Sequence, residues 1–155
     1  NVQAQEVYLK KKDVKKFFQE LNKDTMYLVD EFYDKDVYFK DPIVEFNQRD
    51  DLKHYYASAY ESTELVTFDI PDVIDEGYQQ VVIWVMTMKA KGLNKGKPIL
   101  IEGTSYIRYN KEGKAIYHRD YFDMGEMIYR HVPLVRGMVN LVDKRMRKKH
   151  DPTFK

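Results

Sequence analysis

The residues of this sequence best suited to acid–base chemistry are two carboxylates and a histidine: Asp41, His118 and Asp120. Asp41 stands in the stretch YFKDPI, among apolar residues and directly before a proline. His118 and Asp120 stand two positions apart in the stretch YHRDYFD. Enzymes most often move protons with imidazoles and carboxylates held close to the reacting atoms. We therefore take these three residues as the candidate catalytic groups.

The proline after Asp41 leaves two interpretations of that carboxylate open. Pro42 restricts the preceding residue to extended backbone, so Asp41 is expected at the end of a strand. Its side chain could accept backbone N–H groups and form a turn, which is a common use of aspartate. It could also act as a base held in a pocket. The sequence around Asp41 is compatible with both.

His118 and Asp120 are expected to share one face of a strand. Side chains alternate between the two faces, so one predicted face carries Ile116, His118, Asp120 and Phe122. At a rise of about 3.3 Å per residue, His118 and Asp120 lie about 7 Å apart along the strand, near enough to couple through a substrate or directly. The alternative is an interior histidine that only hydrogen-bonds Asp120 and is chemically idle. A metal site joining both to His131 fits no familiar ligand spacing, and no metal is expected.

Hydrophobic spacing predicts the elements that position these residues. Two runs of apolar residues at helical spacing open the chain, and a third helix begins near Gln48. From Leu65, four segments rich in β-branched and aromatic residues, separated by the turn signals DEG, KGLNKGK and NKEG, predict consecutive antiparallel hairpins. Helical spacing returns after Met127, with Pro133 expected in the first turn of the main C-terminal helix. This order predicts an α+β fold.

The composition excludes several classes of protein. A chain of 155 residues that is 43% hydrophobic fits one globular domain. The 26 basic and 25 acidic residues leave a net charge of +1, so we expect no nucleic-acid partner. No apolar run approaches the roughly 20 residues needed to cross a bilayer. The chain has no cysteine, which suits cytoplasm and periplasm equally, and a start at Asn1 is compatible with a tag remnant or a removed export signal.

The order of the elements, with FYDKDVYFKDPI before a helix and YHRDYFD in the last strand, resembles the nuclear transport factor 2-like superfamily. Within it, the SnoaL-like and ketosteroid isomerase-like branch is the most similar. The resemblance implies a cone, in which a strongly curved antiparallel sheet wraps the N-terminal helices and a ligand pocket lies at the open end. We therefore expect a cone domain over residues 1–127 and an amphipathic helical extension with a basic tail over 128–155.

The resemblance also implies roles for individual residues. Asp41 matches the general-base aspartate of ketosteroid isomerases, and the sequence HRD matches the His-X-Asp of SnoaL-like cyclases, whose aspartate is a general acid and base. Matching the strands to the isomerase pattern puts His118 and Asp120 inside the cone, where Gly103 is expected to leave room for a ligand. The predicted pocket is mostly apolar, as small-molecule sites usually are. It consists of Phe17, Tyr55, Val82, Trp84, Met86, Ile101, Gly103, Ser105 and Phe122.

The sequence departs from two relatives at positions that matter for chemistry. Phe17 and Ser105 stand where ketosteroid isomerases have a tyrosine and an aspartic acid that stabilise the enolate, which disfavours steroid isomerisation. Limonene epoxide hydrolase uses an Asp-Arg-Asp relay. Here Arg108 and Arg119 are expected on the outward face, so a relay could form only if a one-residue bulge shifted the register.

Two functions remain open from the sequence. The first is a general acid–base isomerase, cyclase or hydrolase acting on a small apolar substrate, without a cofactor. The second is a non-catalytic module that binds a small molecule or interacts as a dimer. The apolar residues at helical spacing in the C-terminal segment favour packing, either within the domain or across a homodimer. Contact of this helix with an anionic membrane surface, through the cations of KRMRKKH, is the alternative.

Overall fold

A computed structural model describes residues 10–150, and this part of the chain forms five helices and six strands. The helices are α1 (Val14–Glu20), α2 (Tyr27–Phe32), α3 (Arg49–Ser62), α4 (Met124–Met127) and α5 (Pro133–His150). The strands are β1 (Tyr33–Lys40), β2 (Glu45–Phe46), β3 (Leu65–Asp75), β4 (Gln79–Lys89), β5 (Ile99–Tyr109) and β6 (Ala115–Phe122). Short 3-10 turns lie at Asn94–Gly96 and Tyr129–His131.

The six strands form one curved, unclosed sheet in the order β2-β1-β6-β5-β4-β3. Strands β3 to β6 pair as successive antiparallel hairpins, while β1 runs parallel to β6. The pairing of β3 with β4 shifts between Asp69 and Asp72, around Pro71, because proline cannot donate to the ladder. Helices α1, α2 and α3 pack against one face of this sheet, which confirms the α+β cone predicted from the sequence.

The buried face of the sheet follows the predicted alternation. On β4 every second residue from Gln80 to Met88 is buried, including Val82, Trp84 and Met86. Helix α1 begins at its N-cap Asp13, whose carboxylate accepts a hydrogen bond from the Lys16 amide at 3.1 Å. It buries Val14, Phe17 and Phe18 against the sheet, and the ring of Phe17 stacks on that of Phe32 with centroids 4.2 Å apart. The core therefore lies between α1, α2 and α3 and the inner face of the sheet.

One strand departs from the simple alternation. The register of β5 with β6 shifts, since Arg108 pairs with Tyr117 but Tyr109 pairs with Ala115, so Ile116 is the extra residue of a bulge. The prediction that Ile116 shares the inner face with His118 is therefore wrong: Ala115 is buried there and Ile116 is 39% exposed. Beyond the bulge the alternation resumes, with His118 opposite Ile107 and Asp120 opposite Ser105.

The C-terminal segment breaks where the sequence predicted. Helix α4 and a 3-10 turn precede Pro133, which is the first residue of α5. Helix α5 meets the rest of the domain mainly at that 3-10 turn, Tyr129–His131, where Arg130 forms an ion pair with Asp143 at 2.9 Å. Within residues 10–150, no helix combines the length and apolar character that a membrane span requires.

Candidate active site

A cavity of about 570 Å³ opens between the helices and the inner face of the sheet. Its walls are mainly aromatic and aliphatic, with Phe17, Phe18 and Tyr56 from the helices and Phe68, Trp84 and Phe122 from the strands. Met127 and Ile128, from the segment that leads to α5, also line it. The ionisable groups His118, Asp120 and Asp41 share this wall. A few polar groups in an apolar cleft are typical of a small-molecule site.

The carboxylate of Asp120 is held through one oxygen. Its Oδ1 accepts hydrogen bonds from Ser105 Oγ at 2.5 Å and from His118 Nε2 at 2.6 Å. Ser105 is itself fixed, because the Trp84 indole N–H donates to its Oγ at 2.9 Å. The described residues provide no hydrogen bond to the other oxygen, Oδ2. Asp120 therefore has one anchored oxygen and one that is free to meet a ligand.

His118 is supported from behind by two buried tyrosines. Its Nδ1 lies 2.7 Å from the hydroxyl of Tyr33, which lies 2.9 Å from the hydroxyl of Tyr56. Burial raises the pKa of Tyr33 and of Tyr56 well above the usual tyrosine range, so both keep their hydroxyl protons. The His118 side chain is only 1% exposed. Its ring is therefore locked between a phenol and a carboxylate.

One assignment of hydrogens satisfies the whole chain of bonds. Tyr56 donates to Tyr33, and Tyr33 donates to Nδ1 of His118. A neutral His118 then carries its proton on Nε2 and donates it to the Asp120 carboxylate. With Ser105 donating from the other side, the hydrogen bonds all point towards Asp120. This arrangement stabilises a carboxylate that can take a proton through Oδ2 and return it.

Asp41 uses both of its oxygens within the protein. Oδ1 accepts from the backbone amides of Ile43 and Val44 at 2.7 and 2.8 Å, and Oδ2 accepts from Tyr55 Oη at 2.6 Å. The Asp41 amide in turn donates to the Val44 carbonyl at 3.0 Å. Of the two interpretations of the sequence, this geometry favours the aspartate that forms a turn before a proline.

Removal of the Asp41 side chain is therefore expected to affect stability. Asp41→Ala should lower the free energy of unfolding by about 3 kcal/mol, because two amides and a phenol lose their acceptor. Urea denaturation measures the change. Asp69→Ala, which removes an exposed carboxylate from β3, is the control and should stay within about 0.5 kcal/mol of the parent. Equal stability of Asp41→Ala and the parent would contradict the turn-forming role.

The structure brings five of the nine predicted pocket residues to the cavity wall: Phe17, Tyr55, Trp84, Met86 and Phe122. The other four, Val82, Ile101, Gly103 and Ser105, lie on the inner face but behind that wall. Val82, Ile101 and Ser105 are fully buried. The prediction that Gly103 leaves room for a ligand is wrong, because its cross-strand neighbour Trp84 fills that space and a Cβ on Gly103 would lie 2.3 Å from the indole ring.

The sequence reasoning missed the tyrosines behind His118. Tyr33, the first residue of β1, and Tyr56, on α3, were not among the predicted site residues. The use of tyrosine at these buried positions was a signal, because a buried tyrosine needs a hydrogen-bond partner for its hydroxyl and a phenylalanine does not. It also missed Tyr60 on the cavity wall, whose pKa burial raises to about 12. Tyr60 Oη has no hydrogen-bond partner among residues 10–150, so it is a second polar group open to a ligand.

The part of the chain that the structure describes contains no group of three side chains suited to hold a metal ion. His131 does not join His118 and Asp120, because its Nε2 lies 2.8 Å from the Glu126 carbonyl and donates to it. Arg108 and Arg119 do not line the cavity; their guanidinium groups lie over the rings of Tyr117 and Tyr121.

Comparisons with solved structures agree with this fold. A protein of ketosteroid isomerase-like fold from Catenulispora acidiphila, solved with trimethylamine, has a TM-score of 0.62 at 15% identity over 76% of this chain and 86% of its own. An epoxide hydrolase from M. tuberculosis, similar to limonene epoxide hydrolase, has a TM-score of 0.64 at 16% identity over 89% and 96%. A Jannaschia protein named for the SnoaL-like polyketide cyclases has a TM-score of 0.62 at 16% identity over 79% and 87%.

These similarities and the curved sheet define a protein of the nuclear transport factor 2-like, ketosteroid isomerase-like fold. The family model for the SnoaL-like domain matches residues 14–118, and the chain belongs to that family. This confirms the resemblance inferred from FYDKDVYFKDPI and YHRDYFD. No curated protein has a significantly similar sequence.

Proposed function

We propose that the protein is a general acid–base enzyme that binds a small, mainly apolar molecule in the cavity. Asp120 is the proton carrier. His118 hydrogen-bonds Asp120 and keeps it oriented. The reaction belongs to the class of isomerisations, cyclisations or hydrations, in which one carboxylate takes a proton from carbon or water and delivers it to another atom.

The observation that carries this proposal is the asymmetry of the Asp120 carboxylate. One oxygen is fixed by Ser105 and His118, while the other has no internal partner and belongs to a residue on the cavity wall. A merely structural carboxylate would be expected to use both oxygens within the protein, as Asp41 does. An unpaired lone pair beside an apolar cavity is suited to accept a proton from a bound molecule.

The chemistry of two relatives fits less well. The ring of Phe17 stacks on Phe32, and the Ser105 hydroxyl donates its hydrogen bond to Asp120. Neither residue can therefore donate to an enolate as the corresponding residues of ketosteroid isomerases do. An Asp-Arg-Asp relay, as in limonene epoxide hydrolase, would need an arginine on the cavity wall, and Arg119 lies over Tyr121 instead. A substrate oxygen could instead accept a hydrogen bond from Tyr60.

The same lack of enolate donors favours a second function, a binding module without catalysis. In that case the cavity holds an apolar ligand, and Asp120 with Tyr60 only orients it. The two functions share a ligand and differ in whether Asp120 exchanges a proton with it.

A single spectroscopic probe serves to find the ligand. Trp84 lines the cavity and is the one tryptophan of the sequence, so a bound molecule should change its fluorescence. We expect a panel of apolar ketones, epoxides and polyketide-like compounds to give at least one saturable change. Each binder is then followed by mass spectrometry in deuterated water, which reports isomerisation, hydration or hydrogen exchange.

For a binder that is converted, Asp120→Asn should lower kcat by about a hundredfold to ten-thousandfold with little change in binding. Asp123→Asn is the matched control, because Asp123 directly follows the same strand but caps α4 and does not line the cavity. Unchanged turnover in Asp120→Asn would refute the assignment of the proton carrier. Saturable binding with no conversion or exchange in the parent protein would support the binding module.

A further inference from the structure

Helix α5 carries a row of large apolar side chains that face away from the domain. Leu134 and Met138 are 78% and 64% exposed, and Leu141, Val142 and Met146 are each more than half exposed. Leu134, Met138 and Leu141 form one row and Met138, Val142 and Met146 a neighbouring row, each at intervals of three or four residues, so all five lie on one side of the helix. We call these five residues the apolar arc. Such a continuous exposed row marks a surface that binds something.

The rest of the helix is strongly cationic. Between Pro133 and His150 it has six lysines and arginines and one acidic residue, Asp143, which forms an ion pair with Arg130. Lys144 and Arg147 lie with Asn140 on the side away from the arc, and Gly137 lies at the edge of the arc. The remainder of the chain has more acidic than basic residues, so the positive charge is concentrated on α5. An anionic surface is therefore the electrostatic complement of this helix.

Two cations of α5 favour a lipid surface over a protein surface as the partner of the arc. Arg145 and Lys149 continue the row of Leu134, Met138 and Leu141 at helical spacing, so they extend the apolar arc itself. A close protein interface over the arc would bury both charges, and unpaired buried charges are strongly destabilising. On a bilayer, the long stems of Arg145 and Lys149 can lie along the apolar region while their charges reach the headgroups.

We propose that α5 docks on the surface of anionic phospholipid bilayers, with the apolar arc in the interfacial region and the cations on the headgroups. An apolar face flanked by lysine and arginine on a helix lying in the membrane plane is the physical pattern of such docking. The second copy of the chain, which the sequence also suggested as a partner for this helix, is the competing occupant.

Docking would bring the cavity close to the lipid. Met127 and Ile128 line the cavity and lie only a few residues before the start of α5. An apolar ligand could then reach the cavity from the bilayer without crossing much water. This consequence rests on the proposed function, whereas the docking itself does not.

The experiment is vesicle flotation of the full chain without any added ligand. We expect binding to vesicles of phosphatidylcholine and phosphatidylserine to exceed binding to phosphatidylcholine alone by at least about tenfold, because each cation near the surface adds attraction. Raised salt should reduce that difference, because it screens the attraction. Since no ligand is present, the result does not depend on whether Asp120 is catalytic.

Two pairs of neutral substitutions separate the loss of apolar side chains in the arc from changes elsewhere on α5. Met138→Gln with Leu141→Gln should weaken binding to the anionic vesicles by at least about thirtyfold, because two inserted apolar side chains are lost. The control is Gly137→Gln with Asn140→Gln, which leaves the net charge unchanged. A Cβ on Gly137 meets nothing within 4 Å, so the control pair should fold and bind like the parent.

Three results would overturn the proposal. The first is no binding of the parent to anionic vesicles at any lipid concentration tested. The second is equal weakening by the two pairs of substitutions. The third is a dimer in analytical ultracentrifugation that Met138→Gln with Leu141→Gln converts to a monomer, since the arc would then be covered by a second copy.

Discussion

A methyl group added at Gly103 is expected to lower the free energy of unfolding by about 3 kcal/mol, because the new Cβ would overlap the Trp84 ring. An ideal Cβ there lies 2.3 Å from the indole, well inside van der Waals contact. The indole has little freedom to move away. Its N–H donates to Ser105, and its ring packs between Phe68 and Phe122, with centroids 5.5 and 6.0 Å away.

Urea denaturation of Gly103→Ala, followed by Trp84 fluorescence, measures this effect. The emission of the folded variant should also change, because a displaced indole loses its hydrogen bond to Ser105. Gly137→Ala is the matched control: it adds the same methyl group in open space on α5 and should be neutral or stabilise the helix by up to about 1 kcal/mol. If Gly103→Ala unfolds at the same urea concentration as the parent, the Trp84 ring does not fill the space beside Gly103 as described.

Periodicity predicted the elements well because local patterns encode them. The alternation on β4 and the helical spacing before Gln48 each describe one buried face, and the structure buries those faces. Proline at position 133 marked the start of α5 for an equally local reason, its missing amide donor. The resemblance to the SnoaL-like branch then supplied the arrangement of the elements, which no single pattern contains.

The site was less predictable because it depends on contacts between distant segments. Whether Gly103 opens a pocket or accepts a neighbouring ring depends on which rotamer Trp84 adopts across the strands. Similarly, the bulge at Ile116 depends on how β5 and β6 pair, and no turn or bulge signal in the sequence AIYHRDYF marks it. The role of Tyr33 could not be predicted from local sequence, because its hydrogen-bond partner His118 lies 85 positions further along the chain.

The buried tyrosines predict a second large effect, a steep loss of stability in alkaline solution. Burial is the main cause of the raised pKa of Tyr33, Tyr55, Tyr56 and Tyr109. It also raises the pKa of Tyr60 to about 12. In the unfolded chain each of these tyrosines titrates near its reference value of about 10. The folded protein therefore keeps protons that the unfolded chain releases as the pH rises.

The sign of the effect follows from this difference in bound protons. Below about pH 10 neither state releases tyrosine protons, and the stabilisation is fully present. Above it, each tyrosine that stays protonated only in the folded state removes about 1.4 kcal/mol of stability per pH unit. Four such groups remove about 5 kcal/mol per unit, which is comparable to the total stability of many domains. We expect cooperative unfolding between about pH 11 and 12.

Parallel measurements of tyrosinate absorbance and far-ultraviolet circular dichroism test this expectation. Of the 13 tyrosines, the exposed ones should ionise first, and the buried ones should ionise in one step together with the loss of secondary structure. Tyr56→Phe should reduce the number of protons linked to unfolding by one and make the alkaline transition less steep. Tyr27→Phe alters a side chain that is 57% exposed and should leave the steepness unchanged. If all tyrosines ionise smoothly near pH 10 before the dichroism changes, the hydroxyls behind His118 are open to water, and the chain of bonds from Tyr56 to Asp120 cannot hold the carboxylate as described.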